Sequence, residues 1–264
     1  MSTEKGMKVL RNAVGVAAAI MMLMIAMPAR AQAPYGVMSS MSTPYPGFFS
    51  LADPGRFDLI VFGGGFGSNK YGTAQEGFQG EQTLTRYLGL VGRITGYELW
   101  EGEGFANPLD PGGPVSSRLN FGRFQGGLDF LITPLTHLYL LGGKDVGNSD
   151  AATIEGDFST WLFVHSYHPI SFMTSTVHNF QNSVTSSSID IRTVVGSTEN
   201  FLFTAGGGGA IYGGGFVSGV AGQGGPDLGV YYRPWRLGAD VQGGYGSADQ
   251  YGQIAIYKQF SWLE

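Results

Sequence analysis

Five short turn signals recur along this 264-residue chain: Ile94-Thr95-Gly96, Thr133-Pro134-Leu135-Thr136, Tyr167-His168-Pro169, Gly196-Ser197-Thr198-Glu199-Asn200 and Arg233-Pro234-Trp235. Taken at positions 95, 134, 169, 199 and 234, they lie 39, 35, 30 and 35 residues apart. One further interval upstream reaches about Phe57, where the first strand-like run opens, and one downstream reaches Trp262. A unit of roughly 35 residues holds two strands of about ten residues, one tight turn and one longer connection. A chain built from such hairpins is all-β and antiparallel.

The first thirty residues have a different character. Lys5, Lys8 and Arg11 precede an apolar run from Val14 to Met27, and Ala29-Arg30-Ala31 follows, with Ala31-Gln32-Ala33 as an alternative small-x-small site. This is the pattern of a Sec-type signal peptide cleaved near residue 31. The apolar run is shorter than the ~20 residues a membrane helix needs, and Pro28 ends it. Cysteine is absent, which removes disulfides, thiolate catalysis and a lipoprotein anchor. Loss of residues 1–31 removes four basic residues and one acid, taking the net charge from −5 to −8. A surface of that sign excludes nucleic acid as a partner.

Residues 32–55 mix Pro, Ser, Met and Tyr without periodicity and read as an N-terminal extension, either a periplasmic tail or a segment tucked into a barrel mouth. From residue 56 to 264 the rhythm is strand, connection, strand, turn. Strands are predicted near 57–67, 82–93, 96–105, 118–132, 136–146, 153–166, 170–181, 187–196, 200–213, 226–233, 236–247 and 250–262. The longer connections fall near 68–81, 106–117, 147–152, 182–186, 214–225 and 248–249, and tight turns at the other end place these on the outside. Alternation is plainest in Ile189-Asp190-Ile191-Arg192-Thr193 and Leu237-Gly238-Ala239-Asp240-Val241-Gln242. Phe124, Leu128, Phe130 and Ile132 likewise oppose Arg123, Gln125 and Asp129, and Ile154, Phe158, Leu162 and Val164 oppose Glu155, Asp157 and Ser159. Successive side chains of a strand point to opposite faces, so each run has one apolar and one polar side.

A soluble sandwich shows the same alternation with its apolar face inward. Three features favour a membrane instead: strands of ten residues or more, connections that alternate short and long, and aromatic residues beside the turns. Those aromatics are Tyr167, Tyr231, Tyr232, Trp235, Phe260 and Trp262. Only 13% of residues are charged, about half the usual share for a soluble domain, and 44 are glycine. The expected fold is a single closed antiparallel transmembrane β-barrel of about twelve strands, with a secreted soluble β-protein as the alternative. Ile254, Ile256, Phe260 and Trp262 resemble the terminal strand of bacterial outer-membrane proteins, although Lys258 interrupts the apolar face and Leu263-Glu264 follow the last aromatic. The resemblance is to bacterial outer-membrane β-barrel proteins as a class. It implies an outer-membrane location, contact with outer-membrane lipid and use of the barrel-insertion machinery.

The run from Ala205 to Gly225 is glycine-rich but lacks a following Lys-Ser/Thr, so it reads as a glycine-lined strand feeding a surface loop, not as a phosphate-binding loop. Pro226 is expected to open the next strand, where its missing N–H does little harm.

Polar groups predicted to line the lumen are Asp58, Glu98, Arg123, Gln125, Asp129, Glu155, Asp157, Asp190, Arg192, Asp240 and Gln242. A charge facing mid-bilayer lipid costs roughly 2–4 kcal/mol, so these belong inside. Acids dominate, which suits cations or small polar solutes. The expected function is a passive small-solute pore, or a structural or surface barrel with an acidic lumen. An outer-membrane hydrolase acting on lipid is the alternative, drawn from His165, His168 and His178 with Ser166, Ser171, Ser175, Asn179 and Asn182 nearby. No Ser–His pair within one strand shares a face there, and no catalytic residue is assigned. His137 stands apart. Asp145, Asn148, Asp150 and Glu155 lack the pattern of a calcium loop, and His–His spacing for zinc is missing, so neither a metal nor a cofactor is assigned.

Overall fold

A computed structural model describes residues 54–68, 71–101, 118–133, 135–147, 149–162, 168–181, 183–214, 220–246 and 249–263. The expected signal at 1–31, nearly all of the 32–55 extension and the loop at 106–117 lie outside the described residues. Twelve antiparallel strands close into a barrel in which each pairs with its chain neighbours and β1 pairs with β12. They are β1 (Arg56–Ser68), β2 (Tyr71–Thr85), β3 (Leu88–Glu101), β4 (Arg118–Thr133), β5 (Thr136–Gly147) and β6 (Ala152–Leu162). The second half comprises β7 (Ile170–Asn179), β8 (Val184–Ser197), β9 (Phe201–Gly214), β10 (Val220–Tyr232), β11 (Leu237–Gly246) and β12 (Asp249–Leu263). Closure runs the full length of β1, from Arg56 opposite Leu263 to Ser68 opposite Tyr251. No edge strand is left, so every wall strand has a partner on both sides.

The alternation predicted for β4, β8 and β11 is present. Ile189, Ile191 and Val241 point outward and are exposed, while Asp190, Arg192, Asp240 and Gln242 point inward and are buried. On β4, Phe124, Leu128 and Phe130 are exposed and Arg123, Gln125 and Asp129 buried. Aromatic side chains mark both rims. Tyr87, Phe201, Tyr232, Trp235, Phe260 and Trp262 ring the end that holds Arg56 and Leu263, and Trp100, Phe180 and Tyr245 stand at the opposite end. Ten residues separate Trp235 from Tyr245; at a rise of ~3.3 Å and a tilt of about 40° this spans about 25 Å, the height of a bilayer's apolar band. Tyr231, expected in the girdle, instead points inward and is buried, because its neighbour Tyr232 takes the outward parity.

The first hairpins differ from expectation. Ile94-Thr95-Gly96 is not a turn: β3 runs straight through it, with Thr95 inward and buried, and the turn is Arg86-Tyr87. The stretch expected as loop 68–81 is mostly strand β2. Its Thr73, Gln75, Gln79, Glu81 and Thr83 are the inward set, so a wall strand with a wholly polar inner face and glycines among the rest looks like a loop. The count of twelve survives because the second and third strands are displaced, not lost.

Connection lengths also differ. At the end opposite the termini, the gaps between strands are 69–70, 102–117, 148–151, 180–183, 215–219 and 247–248, most of them short. At the other end the described turns 86–87, 198–200 and 233–236 are tight, as expected, and most residues of the remaining connections lie outside the described residues. Three register irregularities, at Thr83/Thr85, Leu131/Thr133 and Val194/Gly196, all sit beside turns at the termini end. Bulges there tighten local twist where strands reverse.

Pro226 lies inside β10, not at its start. It is exposed on the outer face opposite Gly207, and the β10–β11 ladder has no bridge between Gly224–Tyr245 and Asp227–Gln242. The missing N–H thus shows as a gap in one ladder only.

An outward face this apolar is stable only against hydrocarbon. Ile191→Arg, at the middle of β8, is expected to cost about 2–4 kcal/mol in denaturant unfolding from lipid or micelles, whereas Glu199→Arg at the rim costs about 0–1. Equal costs at the two positions would contradict this placement.

Candidate functional site: the barrel interior

Among the described residues, nine acids point inward and are buried: Asp58, Glu81, Asp129, Asp145, Glu155, Asp157, Asp190, Asp227 and Asp240. Four arginines, Arg56, Arg93, Arg123 and Arg192, share that face. Buried charges persist only when paired and hydrogen-bonded, and most of these are.

Arg93 on β3 holds two carboxylates of β6, Glu155 at 2.6 Å and Asp157 at 2.9 Å, and also donates to Gln79 at 2.9 Å. Gln125 donates to the second oxygen of Glu155 at 2.6 Å. Arg123 on β4 grips both oxygens of Asp145 through Nε and Nη2, one edge of its guanidinium, at 2.7 and 3.1 Å, and its charge lies over the Tyr97 ring. Ser149 donates to the same Asp145 at 3.0 Å.

Arg192 on β8 is the most heavily engaged. It hydrogen-bonds Asp190 on its own strand at 2.8 Å and Asp240 on β11 at 2.5 Å, and ion-pairs with Asp227 on β10 at 2.9 Å. One guanidinium thereby ties three strands through a planar fork suited to several carboxylates. Gln242 donates to the Gly225 carbonyl at 3.2 Å and accepts from Gln253. Near the termini end Arg56 bonds Asp58, which also accepts from Gln259 at 3.1 Å and from Ser261.

Of the residues predicted to line the lumen, Asp58, Arg123, Gln125, Asp129, Glu155, Asp157, Asp190, Arg192, Asp240 and Gln242 all point inward and are buried. Glu98 does not. It shares its parity with the exposed Leu90 and Trp100, opposite Ala74 and Asn120, so it belongs to the outer face near the rim. The displaced turn explains this, since β3 was expected to begin at 96. Arg93, Glu81, His137, Asp145 and Asp227 were not singled out as lumen groups; simple alternation from Leu88 through Glu101 would have found Arg93.

The histidine hairpin brings no nucleophile to a base among the described residues. His178 points outward and bonds Thr185 at 2.9 Å, while Ser175 points inward. His168 bonds the Val194 carbonyl at 2.8 Å, and His165, Ser166 and Asn182 lie outside the described residues. The loop acids are dispersed as well: Asp150 is exposed against Lys144 at 2.8 Å, and Asn148 lies outside the described residues.

Three inward groups form a separate cluster. His137 Nδ1 lies 2.6 Å from Asp129 Oδ2, and the Tyr139 hydroxyl donates to Glu81 Oε2 at 3.2 Å. The imidazole stacks on the Tyr139 ring. Glu81 reaches this cluster from β2, with β3 between it and β4. It can do so because residue 89 is glycine: a Cβ there would sit 3.3 Å from Glu81 Oε1. Glu81 Oε1, Asp129 Oδ1 and His137 Nε2 are buried without a hydrogen-bond partner, each costing about 1–3 kcal/mol if left so.

A second inward feature is apolar. Ile60 and Phe62 of β1 and Tyr257 of β12 form one continuous cluster with Trp161, Met173, Val194, Leu202 and Tyr231 of β6 to β10. Phe62 lies opposite Tyr257 and Tyr231 opposite Leu202 on paired strands, so the cluster runs round the inner wall from β1 through β12 to β6. Tyr257 lies flat over Gly238, where any side chain would collide with its ring.

No protein-family model and no curated protein sequence matches the chain. Solved structures do. LpxR from Salmonella typhimurium superposes with a TM-score of 0.50 at 9% identity, over 77% of this chain and 99% of that one. The COG4313 outer membrane channel from Pseudomonas putida F1 gives 0.51 at 7% identity, over 82% and 99%. The fold is that of the bacterial outer-membrane β-barrels. At such identities the likeness carries the architecture and no residue roles.

Arg192 supplies a direct test of the interior. Arg192→Ala leaves three buried carboxylates facing one another and is expected to cost about 3–5 kcal/mol in urea unfolding from micelles. Arg233→Ala, at the exposed 3-10 turn, is expected to cost under about 1 kcal/mol. Similar small losses for both would show that the Arg192 network is solvated, not buried.

Proposed function

We propose that the protein is exported through a Sec-type signal within residues 1–31, inserts into the outer membrane, and serves there as a structural or surface barrel whose lumen is closed at rest. The observation that carries this reading is that inward side chains of non-neighbouring strands, β3 with β6 and β8 with β10 and β11, are joined by ion pairs, while the inward apolar side chains are buried. A water-filled pore needs a continuous polar path, and the buried inward side chains of Phe62 at mid-strand and of Trp161 and Tyr231 nearer the termini end are apolar. The arginine networks hold in pairs the charges that would otherwise solvate a channel.

One observation favours a conditional second role. Nine inward acids against four arginines leave an interior of negative sign among the described residues, so a solute admitted by displacement of the apolar cluster would be a cation or a polar neutral molecule. The hydrolase reading has less support, because the described part of the histidine hairpin sets no serine beside an imidazole, and the hydroxyl that His178 does meet, that of Thr185, lies on the outer face.

Planar-bilayer recording tests the proposal. The folded wild-type protein is expected to give no sustained conductance, and Phe62→Ala combined with Trp161→Ala is expected to open steady, cation-preferring currents. Large steady conductance from the wild type would overturn the closed-barrel reading.

A further inference from the structure

The interior follows one rule with one exception. Asp58 is held by Arg56, Glu155 and Asp157 by Arg93, Asp145 by Arg123, and Asp190, Asp227 and Asp240 by Arg192. Glu81 and Asp129 pair with no arginine or lysine among the described residues; they face His137 instead. All three side chains are more than nine-tenths buried, and their donor atoms lie within 4.8 Å of one another. Each also carries one buried atom without a partner, Glu81 Oε1, Asp129 Oδ1 and His137 Nε2.

We propose that Glu81, Asp129 and His137 bind a divalent transition-metal ion of the zinc type, which clamps β2, β4 and β5 together inside the barrel. Two carboxylate oxygens and one imidazole nitrogen are a borderline donor set that zinc-like ions prefer, whereas calcium and magnesium take oxygen alone. Ligand atoms around a tetrahedral zinc stand ~3.3 Å apart, given bonds of about 2.0–2.1 Å, so the three protein donors fill three positions as the 2.6 Å His137–Asp129 contact opens, and a water takes the fourth. Tyr139 is the positioning residue: its hydroxyl fixes one Glu81 oxygen and leaves the other without a partner, and its ring sets the plane of the imidazole. Gly89 leaves room on β3 for the Glu81 carboxylate to pass. Burial this deep makes the ion a structural one, acquired as the barrel closes. It supplies the positive charge that arginine supplies to the other inward carboxylates.

The test uses the full chain folded into micelles from a chelator-stripped denatured state, with zinc, cobalt(II), calcium or magnesium added before folding. Metal content after gel filtration is expected to be one zinc per wild-type chain. Cobalt is expected to give the visible absorption of a tetrahedral nitrogen–oxygen site. Glu81→Gln, Asp129→Asn and His137→Gln are each expected to weaken zinc binding about tenfold or more, while Asp150→Asn, an exposed loop carboxylate, leaves it unchanged. Zinc is also expected to raise the unfolding midpoint of the wild type but not of His137→Gln. The wild-type metal content and cobalt spectrum stand even if a variant fails to fold. Zinc-free wild type, zinc retained by all three variants, or preference for calcium or magnesium over zinc would each overturn the proposal.

Discussion

Hydrocarbon cannot hydrogen-bond to a peptide group, and the architecture answers that single constraint. Every strand edge in the wall must be paired, which forces closure of β1 on β12 along their whole length. Once the ring is closed, side-chain alternation leaves only two environments. Ile189, Ile191 and Val241 go to lipid, and Asp190, Arg192 and Asp240 share a narrow interior where charge has to be neutralised locally. The arginine networks and the apolar cluster are two ways of filling that interior.

The two fillings are spatially distinct. Trp161, Met173, Val194, Leu202 and Tyr231 come from strand positions close to the end that holds both termini, and they form one cluster with Phe62 and Tyr257. Arg93 and Arg192 lie in mid-strand and draw carboxylates from other strands toward themselves. An apolar layer excludes water from one mouth, and the ion pairs beside it gain strength from the lower local polarity. Such an interior resembles the core of a soluble domain turned to suit a membrane wall.

Much of the wall was legible because lipid-facing positions demand large apolar residues at strict alternation, as in Ile189-Asp190-Ile191-Arg192. Where glycine replaces them the signal fades. β2 carries Gln75, Gln79 and Glu81 inward with little apolar contrast, so it passed for a loop, and the Thr95-Gly96 pair within β3 passed for a turn. That displacement put Glu98 on the wrong face and hid Arg93. The interior clusters were illegible for a different reason. Pairing of Arg192 with Asp227 and Asp240, or of Glu81 with Asp129 and His137, depends on the register of strands distant in the chain. No local pattern encodes that; it follows from closure, and in the second case from the absence of a side chain at Gly89.

The most direct measurement exploits the lack of native cysteine. Spin labels placed one at a time on introduced cysteines at 189 to 192 and 237 to 242, in lipid bilayers, report contact with oxygen dissolved in the hydrocarbon and with a water-soluble relaxant. Oxygen accessibility is expected to peak at 189, 191, 237, 239 and 241 and to fall at 190, 192, 240 and 242, with a period of two. The reverse alternation, or none, would contradict the assignment of these strands to a membrane wall.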